Sequence, residues 1–523
     1  MTRQVGIRHR VKATKEGEAR PTMVAIRADD RTVVHELATE TDELDFLTGR
    51  FPVEWRELQD DEKVEWYDLK SANNGVRPHQ CKWKVLKKDE DLSKLDPYRI
   101  VRIGDGKTRY LQKIPSAFEG LRAGDVVGMV LGGSGDRFAA ALSRRGEDIG
   151  ATVWRIQPFR LKDLRADASI DNDHLLLASL VETKQEVFYL LRRRDREGIR
   201  VREALDIRQQ AMKARIGCEQ RMLQALIGTS FLNEAGHFPE GVIEEEFDRM
   251  KANDGIFQAL EREEQLRDKE LERAVKAVGI WKAIFDGIQG CGPRIAAGLI
   301  APIGDIRRFW QEPDPVEMGK LYQRSKALEE QGEFEQCKVH VAHRLTSGMP
   351  QFQALQIVRS WQATNDKNAQ AQMLTEAIEC HKKRHKLRQQ AFHKGMAKLK
   401  AFCGVHCVDG KFARRRVGQT SNWNPIARQT LWLLGDQFNR RPDSEWGKKL
   451  LEYKAKLRVT HPEPIEVESS TAGGKKVKRY TDGHIHKMAT WKTLSKFVEA
   501  LFKAWTRIEH EAHGAALTQS SAA

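Results

Sequence analysis

Long apolar runs are absent from this sequence of 523 residues. It has no window of about 18 uncharged apolar residues, which is the length that a membrane-spanning helix needs. The amino-terminal stretch is basic and lacks the apolar segment of a secretory signal. We therefore expect a protein with no membrane span and no secretory leader.

Cysteine is also scarce. The seven cysteines are an odd, scattered set without a CxxC pair, which argues against a disulfide framework. Cys403, His406 and Cys407 could be combined with His484 and His486, but their spacing is irregular for a zinc site. We expect free thiols in a reducing compartment.

Negative charge falls short of positive charge, since lysine and arginine total 89 and aspartate and glutamate total 74, a formal net charge of +15. This excess predicts a polyanionic partner, and the alternative is a device for solubility. Apolar residues form 40% of the chain, which is enough for sizeable cores and excludes disorder throughout. At about 150 residues per domain, the length predicts roughly three to four domains.

Strand-like and helix-like segments alternate in the first third of the chain. Strands are predicted at residues 23–28, 31–37, 98–104, 108–114, 126–133 and 151–158. Helices are predicted at residues 116–124 and 134–146 and from Asp171 onward. Gly104-Asp105-Gly106 predicts a hairpin between the third and fourth strands. This alternation predicts an α/β sheet that is at least partly parallel.

The remainder is predicted to be mainly helical, and its long charged stretches are typical of a coiled coil or an arm. These patterns predict the following division of the chain. The parts are a flexible basic arm (1–20), an α/β domain (21–182) with a polar insertion at about 41–97, a helical coiled-coil arm (183–285), a carboxy-terminal domain (286–510) with a helical insertion at 312–400, and a disordered tail (511–523).

Gly290-Cys291-Gly292-Pro293, followed by small residues, has the pattern of a helix-hairpin-helix. In that motif backbone N–H groups point at a nucleic-acid phosphate, and glycine permits the close approach. Gly290, Gly292 and Arg294 are therefore candidate nucleic-acid contacts. The alternative is an ordinary tight turn between packed helices.

Two basic clusters with aromatic neighbours lie nearer the carboxyl terminus. Cations combined with an aromatic ring and amides suit a nucleic-acid backbone. The first cluster is Arg414, Arg415, Arg416, Asn422, Trp423 and Asn424, and the second is Lys475, Lys476, Lys478 and Arg479 beside Tyr480. The alternative for both is a solvated charged face.

Acidic residues near strand ends are the candidates for a catalytic centre, because carboxylates there can hold two metal ions for phosphodiester chemistry. The candidates are Asp29 or Asp30, Asp105, Asp136, Asp171 and Asp173. Asp171 and Asp173 open the helix that follows the last predicted strand, which makes them the candidate metal pair. The alternative makes Asp171 a helix cap and Asp105 a turn residue.

Three segments resemble the RNA-guided DEDD insertion-sequence transposases, the insertion-sequence family one-ten that includes the pilin-gene invertases. GSGDRFAAALSRRGEDIGATVWRIQPFRLKDLRADASIDNDHLLLASL resembles the second half of the family's RuvC-like domain. IQGCGPRIAAGLIAPIGDIRRF is similar to the start of its transposase domain, and KLKAFCGVHCVDGKFARRRVGQTSNWNPIARQTLWLLGDQF resembles the rest of that domain. The likeness extends over residues 98–310 and 397–505.

The resemblance implies a RuvC-like (ribonuclease H-like) α/β domain, a coiled-coil arm and a mainly helical transposase domain. It implies Mg²⁺ held by carboxylates, a covalent serine–DNA intermediate, and excision and integration of a mobile element by strand exchange. The implied partners are DNA, a structured noncoding guide RNA and further copies of the chain, as a dimer or a tetramer. The implied location is the prokaryotic cytoplasm, in association with the nucleoid and without a membrane partner.

The acidic positions of the family are matched only in part. Asp29 or Asp105 could be its first aspartate, whereas the strand at 126–133 lacks its glutamate and Asp136 is the nearest acid. The final pair corresponds to Asp171 and Asp173, of which Asp173 aligns best as the last acid.

The nucleophile is displaced as well. Asp409-Gly410 stands where the family has its serine, so Ser421 is the nearest hydroxyl nucleophile. The leading prediction is an active or diverged transposase that cleaves and exchanges DNA strands. The alternatives are a degenerate nucleic-acid-binding protein and a metal-dependent nuclease only.

Overall fold

The computed structural model separates the chain into two units, residues 1–199 and residues 200–523. It describes residues 2–11, 18–29, 31–58, 76–87, 90, 92, 95–102, 107–131, 133–236, 240–331, 368–408, 411–412, 422–468 and 476–520. The strands are β1 (Gln4–Arg8), β2 (Thr22–Ala28), β3 (Arg31–Leu37), β4 (Phe51–Glu57), β5 (Lys82–Val85), β6 (Ile100–Arg102), β7 (Thr108–Glu119), β8 (Val126–Val130), β9 (Thr152–Ile156), β10 (Phe188–Leu190), β11 (Cys407–Val408), β12 (Lys411–Phe412), β13 (Ile465–Glu468) and β14 (Lys476–Arg479). The α-helices are α1 (Glu40–Leu47), α2 (Asp136–Ile149), α3 (Pro158–Arg165), α4 (Asp173–Thr183), α5 (Arg193–Phe231), α6 (Ile243–Asn253), α7 (Gly255–Ala277), α8 (Pro293–Ile303), α9 (Pro315–Gln331), α10 (Asn368–Phe402), α11 (Pro425–Arg440), α12 (Glu445–Thr460) and α13 (Asp482–Ser520).

The amino-terminal unit is built on a six-stranded sheet with the order β10-β9-β8-β1-β2-β3. β1, β2 and β3 form an antiparallel meander. β8 and β9 run parallel to β1, and β10 is antiparallel to β9. The predicted α/β class is confirmed, and the predicted parallel portion consists of β1, β8 and β9.

Helices cover both faces of this sheet, because successive side chains of a strand point to opposite faces. Phe138 and Leu142 of α2 pack in one core with Val5 and Ile7 of β1. On the other face α4 lies directly against β1. A Cβ atom on Gly6 would be 2.0 Å from the carbonyl oxygen of His174, so only glycine allows this approach.

The flexible arm predicted at residues 1–20 is wrong where β1 forms. Val5 and Ile7 are 0% and 1% exposed, respectively, and β1 pairs with β2 on one side and β8 on the other. The apolar part of β1, residues 5–7, is too short, and its neighbours are too basic, for the local sequence to indicate a strand. Pairing with β2 and β8 on its two sides is what buries this segment.

The polar insertion predicted at 41–97 contributes α1 and part of a second sheet, in which β4, β5 and β6 all pair with β7. The antiparallel pairing of β6 with β7 confirms the predicted hairpin. The short helix predicted at 116–124 is wrong, because β7 continues to Glu119. Phe118 pairs with Pro52 of β4, and this long-range ladder overrides the local helical pattern.

The carboxy-terminal unit begins with two long helices that lie antiparallel. Arg208 of α5 bonds Glu264 and Asp268 of α7, each at 2.9 Å. Arg215, two turns further along α5, also bonds Glu264, at 2.6 Å. The helices predicted within 183–285 are therefore present, although β10 in this range belongs to the large sheet.

The rest of this unit is a helical core in which α8, α11, α12 and α13 pack together. Leu299, Leu434, Phe438, Phe497 and Phe502 are among its buried residues. In the predicted insertion 312–400, the described parts of α9 and α10 pack against each other. The predicted disordered tail is wrong as far as Ser520, because α13 continues to that residue and the segment contains good helix formers such as alanine and leucine.

Candidate functional site

Three of the predicted acids, Asp136, Asp171 and Asp173, lie at the edge of the large sheet where β1 and β8 end; we call this the carboxyl edge. Asp136 begins α2 after β8, and Asp173 begins α4. Asp171 forms an ion pair at 2.8 Å with Arg20, which precedes β2. Since Met23 of β2 pairs with Arg8 at the end of β1, these elements meet at one edge.

Asp136 is held by a buried arginine. Its side chain forms an ion pair with Arg155 of β9, and the two residues are 5% and 4% exposed, respectively. A buried carboxylate needs such a partner, because an isolated buried charge is strongly destabilising. A metal ion at Asp136 would have to compete with this guanidinium for the carboxylate.

Asp173 has a similar partner. Arg165, the last residue of α3, donates from Nε to Oδ1 at 2.6 Å and from Nη2 to Oδ2 at 2.7 Å. This two-bond geometry is the strongest form of arginine–carboxylate pairing. Asp173 is 4% exposed, so both of its oxygens are engaged away from bulk water.

The other candidate acids differ in position. Asp171 is exposed. The residue that caps the turn is Ser169 and not Asp171, since Ser169 Oγ accepts from the Asp171 N–H at 3.2 Å. Asp29 lies in the turn after β2 with φ +52°. Because β2 is antiparallel to β1, Asp29 is at the opposite edge of the sheet from Asp136. Asp30 and Asp105 lie outside the described residues.

The described acids do not form a metal-binding set. Within the described ranges, there is no group of three or more His, Cys, Asp or Glu side chains that could hold a metal ion. Asp171 and Asp173 are bonded to two different arginines, Arg20 and Arg165. As arranged, the predicted ligand pair does not fit Mg²⁺, which prefers several free oxygen ligands around it.

Sequence reasoning missed a hydrogen-bonded cluster at the carboxyl edge. Glu43 Oε1 accepts from Thr22 Oγ1 at 2.6 Å and from Arg10 Nε at 3.0 Å. His9 Nδ1 lies 3.0 Å from Ser134 Oγ. Burial acts to raise the pKa of Glu43, but hydrogen bonds from His9, Thr22 and Arg10 hold it below its ordinary value. The available signal was the Arg8-His9-Arg10 triplet at the end of β1, which lies within the predicted flexible arm.

The predicted helix-hairpin-helix turn lies at the surface of the carboxy-terminal unit. Gly290 has φ +89°, and Gly292 is the exposed residue that precedes Pro293 at the start of α8. The side chain of Arg294 is 65% exposed and pairs with Asp268 of α7. The first helix of the predicted motif is here a short π-helical turn at Trp281–Phe285.

The first basic cluster is described only at its end. Asn424 caps α11, because its Oδ1 accepts from the Ala427 N–H at 3.0 Å. The guanidinium of Arg428 stacks on Trp423 at 4.3 Å from the ring centre. Asn422 is exposed. Two of these residues thus have structural contacts, while Arg414, Arg415, Arg416 and Ser421 lie outside the described residues.

The second basic cluster lies on a hairpin. Lys476, Lys478 and Arg479 of β14 are exposed, and the backbone register places Lys476 opposite Glu468 and Lys478 opposite Glu466. Lys475 lies outside the described residues. The hairpin therefore alternates in charge across its strands instead of presenting a purely basic face.

Comparison with known proteins adds no relative. No protein-family model matches the chain, and neither does any curated protein. None of the helices in the described part of the chain is long and apolar enough to cross a membrane.

Proposed function

We propose that this protein binds nucleic acid and is a catalytically degenerate relative of the RNA-guided transposases that its sequence resembles. The observation that carries the proposal is the pairing of Asp136 with Arg155 and of Asp173 with Arg165. Metal-dependent phosphodiester chemistry needs carboxylates that can bind a cation. Here the two buried candidates already neutralise arginines.

The strand order supports a RuvC-like, ribonuclease H-like assignment for the amino-terminal unit. In such a domain an antiparallel meander is followed by strands parallel to its first strand. β1, β2 and β3 supply the meander, and β8 and β9 are the parallel strands. The family that the sequence resembles has its first aspartate after the first strand and its glutamate at the end of the strand that is here β8, and both strands end at the carboxyl edge.

The energetics of the ion pairs favour the degenerate alternative. Removing one partner from a buried ion pair costs roughly 3–5 kcal/mol, because the other charge is left buried. A metal ion that displaced Arg155 or Arg165 from its carboxylate would likewise leave that guanidinium buried without a partner. Mg²⁺ would therefore have to overcome this cost as well as its own dehydration.

Nucleic-acid binding is supported by cationic and backbone groups on the surface. The net charge of +15 favours a polyanion. Arg294 beside the Gly290–Gly292 turn is suited to a phosphate, as are Lys476, Lys478 and Arg479 on their hairpin. The partners of this proposal are DNA and a structured noncoding RNA, with the chain acting as a dimer or a tetramer.

The second candidate is an active transposase that cleaves and exchanges DNA strands, with Mg²⁺ at Asp171 and Asp173 and Ser421 as the nucleophile. One observation favours it. Asp171 and Arg20 have side chains that are 58% and 47% exposed, respectively, so their pair is weak and Asp171 can turn toward another ligand. A metal-dependent nuclease without strand exchange is the third candidate.

Incubating the full chain with labelled donor and target DNA, with Mg²⁺ or with EDTA, separates these candidates. The degenerate protein binds nucleic acid in a salt-sensitive manner, with a log–log slope of about −0.9 for each phosphate neutralised on duplex DNA, and yields no metal-dependent product. Strand exchange that requires Mg²⁺ and is lost in Ser421→Ala would establish the transposase. Cleavage that survives Ser421→Ala but is lost in Asp173→Ala would establish the nuclease. Asp29→Ala, at the opposite edge of the sheet, is the matched control.

A further inference from the structure

The end of β1 carries a buried cation. Arg8 is the last residue of this strand, which lies between β2 and β8. Its Nε and Nη1 atoms are buried and have no hydrogen-bond partner among the residues that the structure describes. A desolvated donor without an acceptor is costly, particularly when it carries charge. This position therefore favours a ligand that brings acceptor oxygens.

A second buried polar atom lies on the same side of the sheet. His174, the second residue of α4, is only 5% exposed, and its Nδ1 has no hydrogen-bond partner within the described ranges. Gly6 shares a strand face with Arg8 and lies against the backbone of His174, so α4 covers the face on which Arg8 lies. Burial and the charge of Arg8 lower the pKa of His174, while a backbone hydrogen bond at Asp171 and the charge of Asp173 act in the opposite direction.

The nearby acids are engaged elsewhere. Asp136 is paired with Arg155, and both oxygens of Asp173 accept from Arg165. The amino end of α4, an 11-residue helix, adds a partial positive charge. Electrostatics at this point therefore favour an anion over the metal ion that the sequence predicts.

We propose that the carboxyl edge binds a phosphate group, with Arg8 donating from Nε and Nη1 to phosphate oxygens and His174 offering Nδ1 as a further polar contact. Arginine is suited to this task because its planar guanidinium can bond two phosphate oxygens at once. The inference rests on the proposed function, since the phosphate it names is that of a nucleic-acid backbone. Free phosphate has the same chemistry and is distinguished below.

The first test measures thermal unfolding of the full chain in inorganic phosphate and in chloride at equal ionic strength. We expect phosphate to raise the Tm of the wild type, to have no such effect on Arg8→Gln, and to have a reduced effect on His174→Gln. In chloride, Arg8→Gln should melt no lower than the wild type, because the variant removes an unpaired buried charge. The matched control is Arg193→Gln, which removes a charge from a side chain that is 84% exposed and should keep the phosphate effect.

Two results would overturn the site. One is a phosphate effect that is undiminished in Arg8→Gln. The other is a lower Tm for Arg8→Gln in chloride together with normal melting of Arg8→Lys, because this combination would show that Arg8 serves the fold as a paired cation.

The second test measures binding of a fluorescent oligonucleotide by anisotropy over a range of salt concentrations. Arg8→Gln should weaken binding about tenfold, as expected for hydrogen bonds to a charged group, and should make the salt slope shallower by about 0.9 on duplex DNA. Arg193→Gln should stay within about twofold of the wild type.

The two tests fail separately. Arg8→Gln could lose the effect of phosphate on the Tm and still bind the oligonucleotide as tightly as the wild type. This result would overturn the nucleic-acid backbone as the ligand of the site and would identify free phosphate as the ligand. If the wild type binds no nucleic acid at low salt, the proposed function fails, while the melting experiment still decides whether the site takes phosphate.

Discussion

Replacing Arg165 by alanine tests whether Asp173 is a structural ion-pair partner. The side chains of Arg165 and Asp173 are 13% and 6% exposed, respectively. Leaving one member of a buried pair without its partner costs roughly 3–5 kcal/mol. Because Arg165 keeps some contact with water, we expect Arg165→Ala to destabilise the start of α4 by about 3 kcal/mol, near the lower limit of that range.

Amide hydrogen exchange in α4 is the appropriate assay, since it reports local opening within a chain that consists of two units. At about 1.4 kcal/mol for each factor of ten, the expected loss corresponds to roughly 150-fold faster exchange. The control Arg144→Ala removes an exposed pair with Asp148, whose side chains are 58% and 49% exposed. That change should cost less than about 1 kcal/mol.

A double variant sharpens this test. Arg165→Met combined with Asp173→Leu should restore most of the protection of α4, because replacing a whole buried pair by apolar side chains is often neutral. Exchange in Arg165→Ala that stays within about threefold of the wild type, less than about 1 kcal/mol, would contradict a structural role for Asp173. That role would also be refuted if Mg²⁺ slowed exchange of α4 in the wild type, since Asp173 would then be a metal ligand.

Two further predictions concern the fold around the carboxyl edge. Gly6→Ala should destabilise the amino-terminal unit by about 3 kcal/mol or more, because its Cβ would be 2.0 Å from a backbone oxygen of α4. The control Gly217→Ala, with no atom within 4 Å of its Cβ, should be neutral or stabilising. Thermal melting checks both variants, and a lower Tm for Gly217→Ala than for Gly6→Ala would contradict the prediction. Glu43→Gln should be destabilising at pH 7 and progressively less so as the pH falls below about 4.5. The reason is that the folded state lowers the pKa of Glu43 from 4.5, so the stability gained from its ionised form disappears on protonation. An equal loss of Tm at pH 7 and at low pH would show that the charge of Glu43 does not contribute to stability.

The paired acids and the unpaired arginine describe one electrostatic arrangement. Each described buried acid at the carboxyl edge is balanced by an arginine, whereas Arg8 is balanced by no described group. The proposed phosphate binding and the proposed loss of metal binding therefore rest on the same set of residues.

Several elements of the fold were predictable because their signals are local. β2, β3, β8, β9 and α2 follow from alternating or helical apolar spacing and from the glycines and aspartates between them. The β6–β7 hairpin followed from an Asp-Gly turn. Such signals fail where burial comes from distant partners, as for β1 between β2 and β8 and for the second half of β7 against β4.

The candidate site was predictable only as a list of residue types. Sequence reasoning found Asp136, Asp171 and Asp173, and the fold does bring them to one edge. It also proposed Asp29, which the antiparallel direction of β2 places at the opposite edge. It missed Arg8 and His174, because no local pattern shows that a basic residue will end a central strand or that a helix will cover it.

By itself, the amino-acid sequence determined the α/β class of the first unit, the helical character of the second and the excess of positive charge, since these depend on composition and short-range periodicity. The ion-pair partner of each charged side chain was set by tertiary structure and could not be read from local sequence. Arg165 is eight residues from Asp173, and Arg155 is 19 residues from Asp136. Helix packing brings His174 close enough to Arg8 for the charge of Arg8 to lower its pKa. Whether a carboxylate can bind a metal ion or an arginine can bind a phosphate depends on these partners, because a buried charge that is already paired is not free to bind a ligand.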